Sequence, residues 1–352
     1  MTFNVGIIGY GLSAKIFHIP YIKATEGLEV KAICQRRASE GNDAAKDHPT
    51  STIYRTSDEL LQDPTVDIVV LCTPVATHLT LGKQCLEAGK HVVVEKPFCA
   101  TVAECDELID CAKKHNKLLT VFHNRRWDAD FQTVLALLQK GTLGRIVEFE
   151  SHFDRWSPTT SVAWKLQTTP GHGVVYDLGS HLIDQVVFTF GMPKKITAVT
   201  SKQRIYTSDA PEDACTILMH YDGMLATIKC SAVSAGTRQL RFWIRGDKGS
   251  YKKHFEDPQE VQLLGGMAFD DPNLGKESSD RYGVLSLAEN NAISEHVYPT
   301  LEPGTYKVFY QKLVQALSEG SPVPVDGAAA RNVIRLIELA RESARTGRTL
   351  EV

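Results

Sequence analysis

Val5-Gly6-Ile7-Ile8-Gly9-Tyr10-Gly11-Leu12-Ser13-Ala14 joins a short apolar run to a glycine-rich turn at the very start of the chain. The run reads as a buried strand, Val5 to Gly9, and a helical pattern begins at Ala14 without a spacer. In that context Gly9 permits a tight turn, Gly11 lets a pyrophosphate approach the backbone, and Ala14 is small enough for a helix to pack closely on a sheet. Gly9, Gly11, Leu12, Ser13 and Ala14 are therefore the expected seat of a dinucleotide, with an ordinary glycine-rich turn as the competing reading.

Outward from this stretch, short apolar runs alternate with helical patterns. Strands are expected at Leu28 to Cys34, Ile68 to Thr73, His91 to Glu95 and Leu118 to Phe122, and helices near Ala14 to Thr25, Ala38 to Asp47, Ala76 to Ala88 and Val102 to His115. Ser51 to Tyr54 supplies a very short third strand before Ser57 opens another helix. Such alternation specifies a parallel sheet with helical crossovers. After a helix from Trp127 to Gln139 the pattern changes to Ile146 to Phe153, Ile196 to Tyr206, Cys215 to Tyr221, Leu225 to Ser231 and Leu240 to Arg245. Joined by Tyr-Asp-Gly and Gly-Asp-Lys-Gly turns, these predict a mainly antiparallel sheet. Gly265 to Gly283 reads as a long surface excursion, and helices at Gly304 to Ser318 and Ala328 to Thr346 close the chain. At 352 residues the chain exceeds what one core usually supports. The expected fold is α/β: an N-terminal Rossmann domain, residues 1–123, then a C-terminal α+β domain on an open, mainly antiparallel sheet, residues 124–352.

Bulk properties remove several function classes. Lys and Arg number 39 against 42 acids, a net charge of -3, which leaves no basic excess for nucleic acid. No apolar run approaches a membrane span, and the opening residues lack the basic and apolar regions of a secretory signal. The eight cysteines are scattered with no Cys-x-x-Cys pair, so they read as reduced thiols in a cytoplasmic protein, with no metal site expected.

The end of the second strand decides between nicotinamide cofactors. An NAD site normally presents a carboxylate there, but the residues are Gln35, Arg36 and Arg37. Two guanidiniums suit a 2'-phosphate, so NADP(H) is favoured over NAD(H), a solvated basic turn being the alternative. Thr73, Pro74 and His78, with Glu95 and Lys96, fall at the carboxyl ends of later strands, the edge where open parallel sheets receive ligands. Lys96 reads equally as a surface lysine in a turn. Further along, Asp177, His181 and Asp184 fall on one face of a helix, opposite Val175, Leu178, Leu182 and Val186. A carboxylate one turn from an imidazole orients a base suited to a hydroxyl proton. A salt-linked histidine on a solvated face fits the same spacing; His172, Asp177 and His181 could also cluster about a metal, but they lack an established ligand spacing.

Taken together, Gly9 to Ala14, Thr73-Pro74, Glu95-Lys96-Pro97 and Asp177-x-x-x-His181 resemble the glucose-fructose oxidoreductase / inositol dehydrogenase / MocA family along almost the whole chain. Phe122 to Asp128 and Tyr176 to His181 are similar to the subgroup containing NADP-dependent scyllo-inositol dehydrogenases. Val75 departs from the Asn that often follows Thr-Pro in the family, and Ala14 from the third glycine. The resemblance implies that Lys96 hydrogen-bonds the reacting oxygen, His181 exchanges its proton and Asp177 supports His181 or binds substrate. It further implies a small polyol or sugar substrate and a homodimer or homotetramer built through the C-terminal sheet. Asn124, Arg126, Trp127, Phe153, Arg155 and Tyr176 are candidate substrate contacts, with packing or a domain hinge as the alternative for Asn124, Arg126 and Trp127 and loop anchoring for Arg155. A non-catalytic dinucleotide sensor or transcriptional regulator of the same fold is the second function expected, and retention of Lys96 and His181 argues against it.

Overall fold

The opening run ends in four consecutive buried residues, as a strand covered by helices on both faces requires. It forms β1 (Phe3–Ile8), and β2 (Leu28–Cys34), β3 (Thr52–Tyr54), β4 (Ile68–Leu71), β5 (His91–Glu95) and β6 (Leu119–Phe122) follow. The computed structural model describes residues 2–160, 166–205 and 209–352. The six strands pair in parallel in the order β3-β2-β1-β4-β5-β6. Strand order reverses between β1 and β4, where such sheets hold ligands.

The first helix opens with a π-helical turn over Ala14–His18 and becomes α-helical at Ile19–Ala24. The second is much shorter than the Ala38 to Asp47 expected. Ser39 and Asn42 exchange backbone hydrogen bonds at 3.0 and 2.9 Å, and the Asp43 carboxylate accepts the Ala45 N–H, so the helix starts only at Ala44–Asp47. Later helices, His78–Glu87 and Val102–Lys114, lie close to expectation.

The described residues divide into two units. One comprises Met1–Asn124, Val261–Leu274 and Gly304–Arg331, the other Arg125–Glu260, Gly275–Pro303 and Asn332–Val352. Residues 261–274 and 304–331, expected with the second domain, thus cluster with the first. Aromatic packing holds them there: Tyr21 meets Phe269 and Tyr306 at centroid distances of 6.4 and 5.8 Å, and Phe122 meets Phe309 at 4.8 Å.

The second unit carries β7 (Ile146–Asp154), β8 (Lys195–Ser201), β9 (Ala214–Tyr221), β10 (Met224–Ser231), β11 (Leu240–Gly246), β12 (Gly249–His254), β13 (Gly283–Glu289), β14 (Ala292–Tyr298) and β15 (Leu350–Glu351). They form one sheet in the order β14-β13-β12-β11-β7-β10-β9-β8-β15, antiparallel except for the β7–β10 pair. β8 stops at Ser201, short of the expected end, because the Asp213 carboxylate takes the backbone N–H groups of Gln203 and Arg204 at 2.6 and 3.1 Å. Tyr206 lies outside the described residues. The β13–β14 hairpin was not expected. Its turn, Asn290-Asn291, has φ of 50° and 62° at the two residues, which suits a tight hairpin, but the exposed side chains of β14 conceal the usual alternation.

Charge is buried inside this unit. Arg241 of β11, 1% exposed, donates to Asp130 at 2.8 Å, Ser151 at 2.7 Å and Gln185 at 3.0 Å. Removing one member of such a pair strands the other. We expect Arg241→Met to cost about 3–5 kcal/mol in denaturant unfolding. Arg331→Met, which breaks the exposed Arg331–Asp106 pair, should cost less than about 1 kcal/mol. Equal, small shifts in both would contradict this account of the interior.

Candidate active site

In the first unit the glycine-rich turn is built for close approach. Gly9 has φ of 97°, and a Cβ there would fall 2.5 Å from the Cys72 carbonyl oxygen, so only glycine fits. Gly11 is different: a Cβ would meet nothing within 4 Å. The protein's own packing does not demand glycine at that position, and the bare backbone it leaves suits a pyrophosphate. Ala14 is fully buried beneath the turn, while Leu12 is exposed. These residues fit a dinucleotide.

At the end of β2 the three residues separate. Gln35 is buried, its amide donating to the Asn42 carbonyl and accepting from the Ala44 N–H, both at 2.8 Å, so it pins the following loop. Arg36 and Arg37 are exposed, and among the described residues no carboxylate pairs with either. They remain available to an anionic ligand group.

The edge formed by β4 and β5 is held from beneath. His78 is buried, its Nε2 2.9 Å from the Thr73 carbonyl oxygen and its Nδ1 3.0 Å from that of Phe98. It therefore clamps the Thr73-Pro74 turn to the segment after Lys96 and has no surface left for a cofactor. Thr77 donates to Thr73 Oγ1 at 2.7 Å, bracing the same turn. Glu95, at the end of β5, accepts from Ser13 Oγ, from His18 Nε2 at 2.9 Å and from the Lys96 N–H at 3.0 Å. Burial pushes its carboxyl up, but the hydrogen bond and charge of His18, with Ser13 and Lys96, outweigh this and lower it to about 2.

In the second unit Asp177 lies in a π-helical turn, Val175–Gly179, that continues as the α-helix Ser180–Phe190. The wider turn breaks the expected faces. Leu178, expected beside Val175, Leu182 and Val186, instead joins Asp177 in lining a cavity of ≈ 270 Å³. Asp184 is buried and committed, its carboxylate accepting from Arg126 Nε at 2.8 Å and Nη2 at 2.6 Å. His181 is buried, its ring 6.3 Å from that of Phe153.

The same cavity is lined by Arg155, Trp156, Arg204, Glu212 and Asp213. Arg155 is paired with Glu256 at 3.0 Å, Arg204 lies 3.7 Å from Asp213, and Trp156 is 60% exposed. Gly173 has φ of 99°, and a Cβ there would strike the Glu212 carboxylate, so that wall also depends on glycine. Burial raises the Glu212 carboxyl against the pull of Arg341, 3.3 Å away. Arg204, Glu212 and Asp213 were not anticipated: their distance in sequence from Asp177 leaves no spacing to read.

Several other anticipated residues are packing groups. Phe153 is fully buried between the guanidiniums of Arg125 and Arg241, at 4.9 and 4.4 Å. Tyr176 is buried beneath Arg341, and burial pushes its hydroxyl up to about 12. Arg126 is committed to Asp184, and Asn124 and Trp127 are buried. His152 is gripped by Glu150 at 2.9 Å and Asp154 at 2.8 Å, fixing the strand that delivers Arg155.

Comparison with known proteins agrees with this architecture. Residues 3–123 match the NAD-binding Rossmann fold of an oxidoreductase family, and residues 136–352 match that family's C-terminal alpha/beta domain. The uncharacterized oxidoreductase YdgJ of Escherichia coli is 38% identical over 347 residues, 99% of this chain and 98% of its own. A scyllo-inositol 2-dehydrogenase (NADP(+)) of Bacillus subtilis, IolW, is 34% identical over 99% of this chain and 96% of its own. The solved structure of yvaA from Bacillus subtilis, described as an oxidoreductase, superimposes with a TM-score of 0.94 at 32% identity, covering 100% of this chain and 98% of that one.

The state of Glu95 has a measurable consequence. Its carboxyl is lowered from 4.5 to about 2, so the folded protein keeps the charge where the unfolded chain takes up a proton. Stability on the order of 3 kcal/mol is then present above about pH 5 and lost as pH falls towards 2. Unfolding of the wild type and of Glu95→Gln, compared at pH 6 and pH 3, should show a smaller acid loss in the variant. Parallel losses would refute the assignment.

Proposed function

We propose, on the premise that the chain belongs to the Gfo/Idh/MocA oxidoreductase family, that it is an NADP-dependent dehydrogenase acting on an uncharged cyclitol or sugar, of which a scyllo-inositol-like polyol is the favoured example. The observation that carries the substrate class is the cavity beside Asp177. Both arginines among its described lining residues are paired with carboxylates, so among the described residues it offers no uncommitted cation for a phosphate or carboxylate group. It offers instead both hydrogen-bond donors and acceptors with an exposed indole, which suit a ring with polar edges and an apolar face. The scyllo-inositol 2-dehydrogenase relative supports the same class.

When bound, the nicotinamide supplies the hydride acceptor or donor. The chain's own task is to manage the proton and the developing charge. Lys96 donates a hydrogen bond to the carbinol oxygen, stabilising it as its proton leaves. His181 takes that proton from the hydroxyl oxygen, and Asp177 holds the substrate or supports the imidazole. Hydride and proton depart from one CH–OH group, so the reading requires Lys96 and His181 to serve the same oxygen. Arg36 and Arg37, with no acid at the end of β2, support NADP over NAD.

Turnover of NADP+ or NADPH against a panel of inositols, inososes, sugars, uronates and sugar phosphates tests this reading. We expect activity on neutral members only, and kcat lowered at least ~100-fold in Lys96→Ala and in His181→Ala. Because both serve one step, the double variant should lose far less than the product of the two single losses. Tight nucleotide binding without turnover of any panel member would instead mark a nucleotide sensor. In a separate measurement, Arg36→Ala should weaken NADPH by about tenfold or more relative to its effect on NADH; equal effects on both would defeat the 2'-phosphate assignment.

A further inference from the structure

His18 is the one strongly polar side chain of the first helix that is completely buried, and the reaction as derived makes no use of it. Its ring is fixed on every side. Nε2 lies 2.9 Å from Glu95 Oε1, Nδ1 lies 2.5 Å from the Tyr310 hydroxyl, and the ring packs on Phe122 at a centroid distance of 4.2 Å. Tyr310 is itself fully buried, and Phe309 closes over Phe122 from the same helix, Lys307–Glu319. Placing two hydrogen-bonding groups in an aromatic cluster costs stability unless both are satisfied, and here each satisfies the other.

What the pair holds is Glu95, and Glu95 touches two functional elements at once. Ser13, in the turn suited to the pyrophosphate, donates to Oε1, and the backbone N–H of Lys96 donates to Oε2. We propose that His18, backed by Tyr310, is a positioning residue that keeps the Glu95 carboxylate in place and compensated, so that one buried acid aligns both the phosphate-binding turn and the lysine that meets the substrate. The inference rests on the dehydrogenase reading above. Its electrostatic logic is specific: an acid beneath a pyrophosphate-binding turn opposes the ligand's charge unless donors engage it. Without His18, Glu95 would be under-satisfied and repulsive. With the acid itself neutralised, His18 would matter much less.

The test is a two-by-two set at positions 18 and 95, read by NADPH binding, measured as a change in the cofactor's fluorescence, alongside kcat and thermal unfolding. His18→Ala should weaken NADPH about tenfold or more. His18→Gln, which can still donate to Glu95, should recover most of that loss. The combination His18→Ala with Glu95→Gln should bind NADPH more tightly than His18→Ala alone. Tyr310→Phe, which removes only the hydroxyl, should lower kcat about threefold and leave the unfolding temperature within a few degrees. A purely structural histidine predicts the reverse for the combination, binding weaker than either single variant, and that result overturns the proposal, as does wild-type affinity in His18→Ala. If His18→Ala does not fold, recovery of affinity when Glu95→Gln is added to His18→Asn decides the matter in the same way. Because binding is read without substrate, a failed substrate panel leaves this test intact. A wild-type protein that binds neither NADPH nor NADH would overturn the dehydrogenase reading and this inference with it.

Discussion

At one point in the first unit the backbone of β1's exit passes so close to the end of β4 that no side chain fits between them. A Cβ on Gly9 would lie 2.5 Å from the Cys72 carbonyl oxygen, well inside van der Waals contact. That approach lets the turn fold over the sheet's edge and sends the chain into the first helix. Ser13 thereby reaches Glu95, and His18 reaches the same carboxylate one turn later. Had the strand ended in any other residue, the turn would be pushed off the edge and the acid would lose two of its three donors. The local steric demand and the electrostatic arrangement at the end of β5 are one constraint.

The second unit solves a different problem. A sheet this large, with one helix lying on β7 and β10, has room for polar groups in its interior, and it holds them in fixed pairs. Arg241 with Asp130, Arg126 with Asp184 and Lys253 with Glu277 are all nearly or fully buried. Burial of so many acids has a signature in Asp257, whose carboxyl is raised to about 7 by desolvation and by Asp130. Such pairs contribute little net stability compared with apolar packing, but each tolerates only one geometry. They hold rigid the strand and helix that deliver Arg155 and Asp177 to the cavity. The helix that carries His18 and the one that carries Asp177 and His181 each contain a π-helical turn, which displaces side chains by a residue from the regular faces.

Much of the first unit was legible in the letters, because each of its signals is local. Alternating apolar runs and helical patterns specify parallel strands, and the absence of an acid after Cys34 is visible without coordinates. Helix limits were less legible where side chains compete with the backbone: Ser39, Asn42 and Asp43 form a turn and a cap in place of the expected early turns of helix. In the second unit the antiparallel pattern was readable, yet the β13–β14 hairpin was not, because an exposed edge strand needs no alternation of burial.

By itself the sequence determined the succession of elements in the first unit, the glycine turn and which side chains are candidates for the chemistry, since these follow from periodicity, backbone permissiveness and functional-group chemistry within a few residues. Only the tertiary structure decided which polar groups are committed to one another. Arg126 had the composition of a substrate contact and is spent on Asp184; His78 sat at a ligand edge and is spent on backbone carbonyls; Tyr310 carried no signal and reaches His18 from 292 residues away. Hydrogen bonds and ion pairs form between groups brought together by packing, and packing at that range leaves no period in the chain to be read.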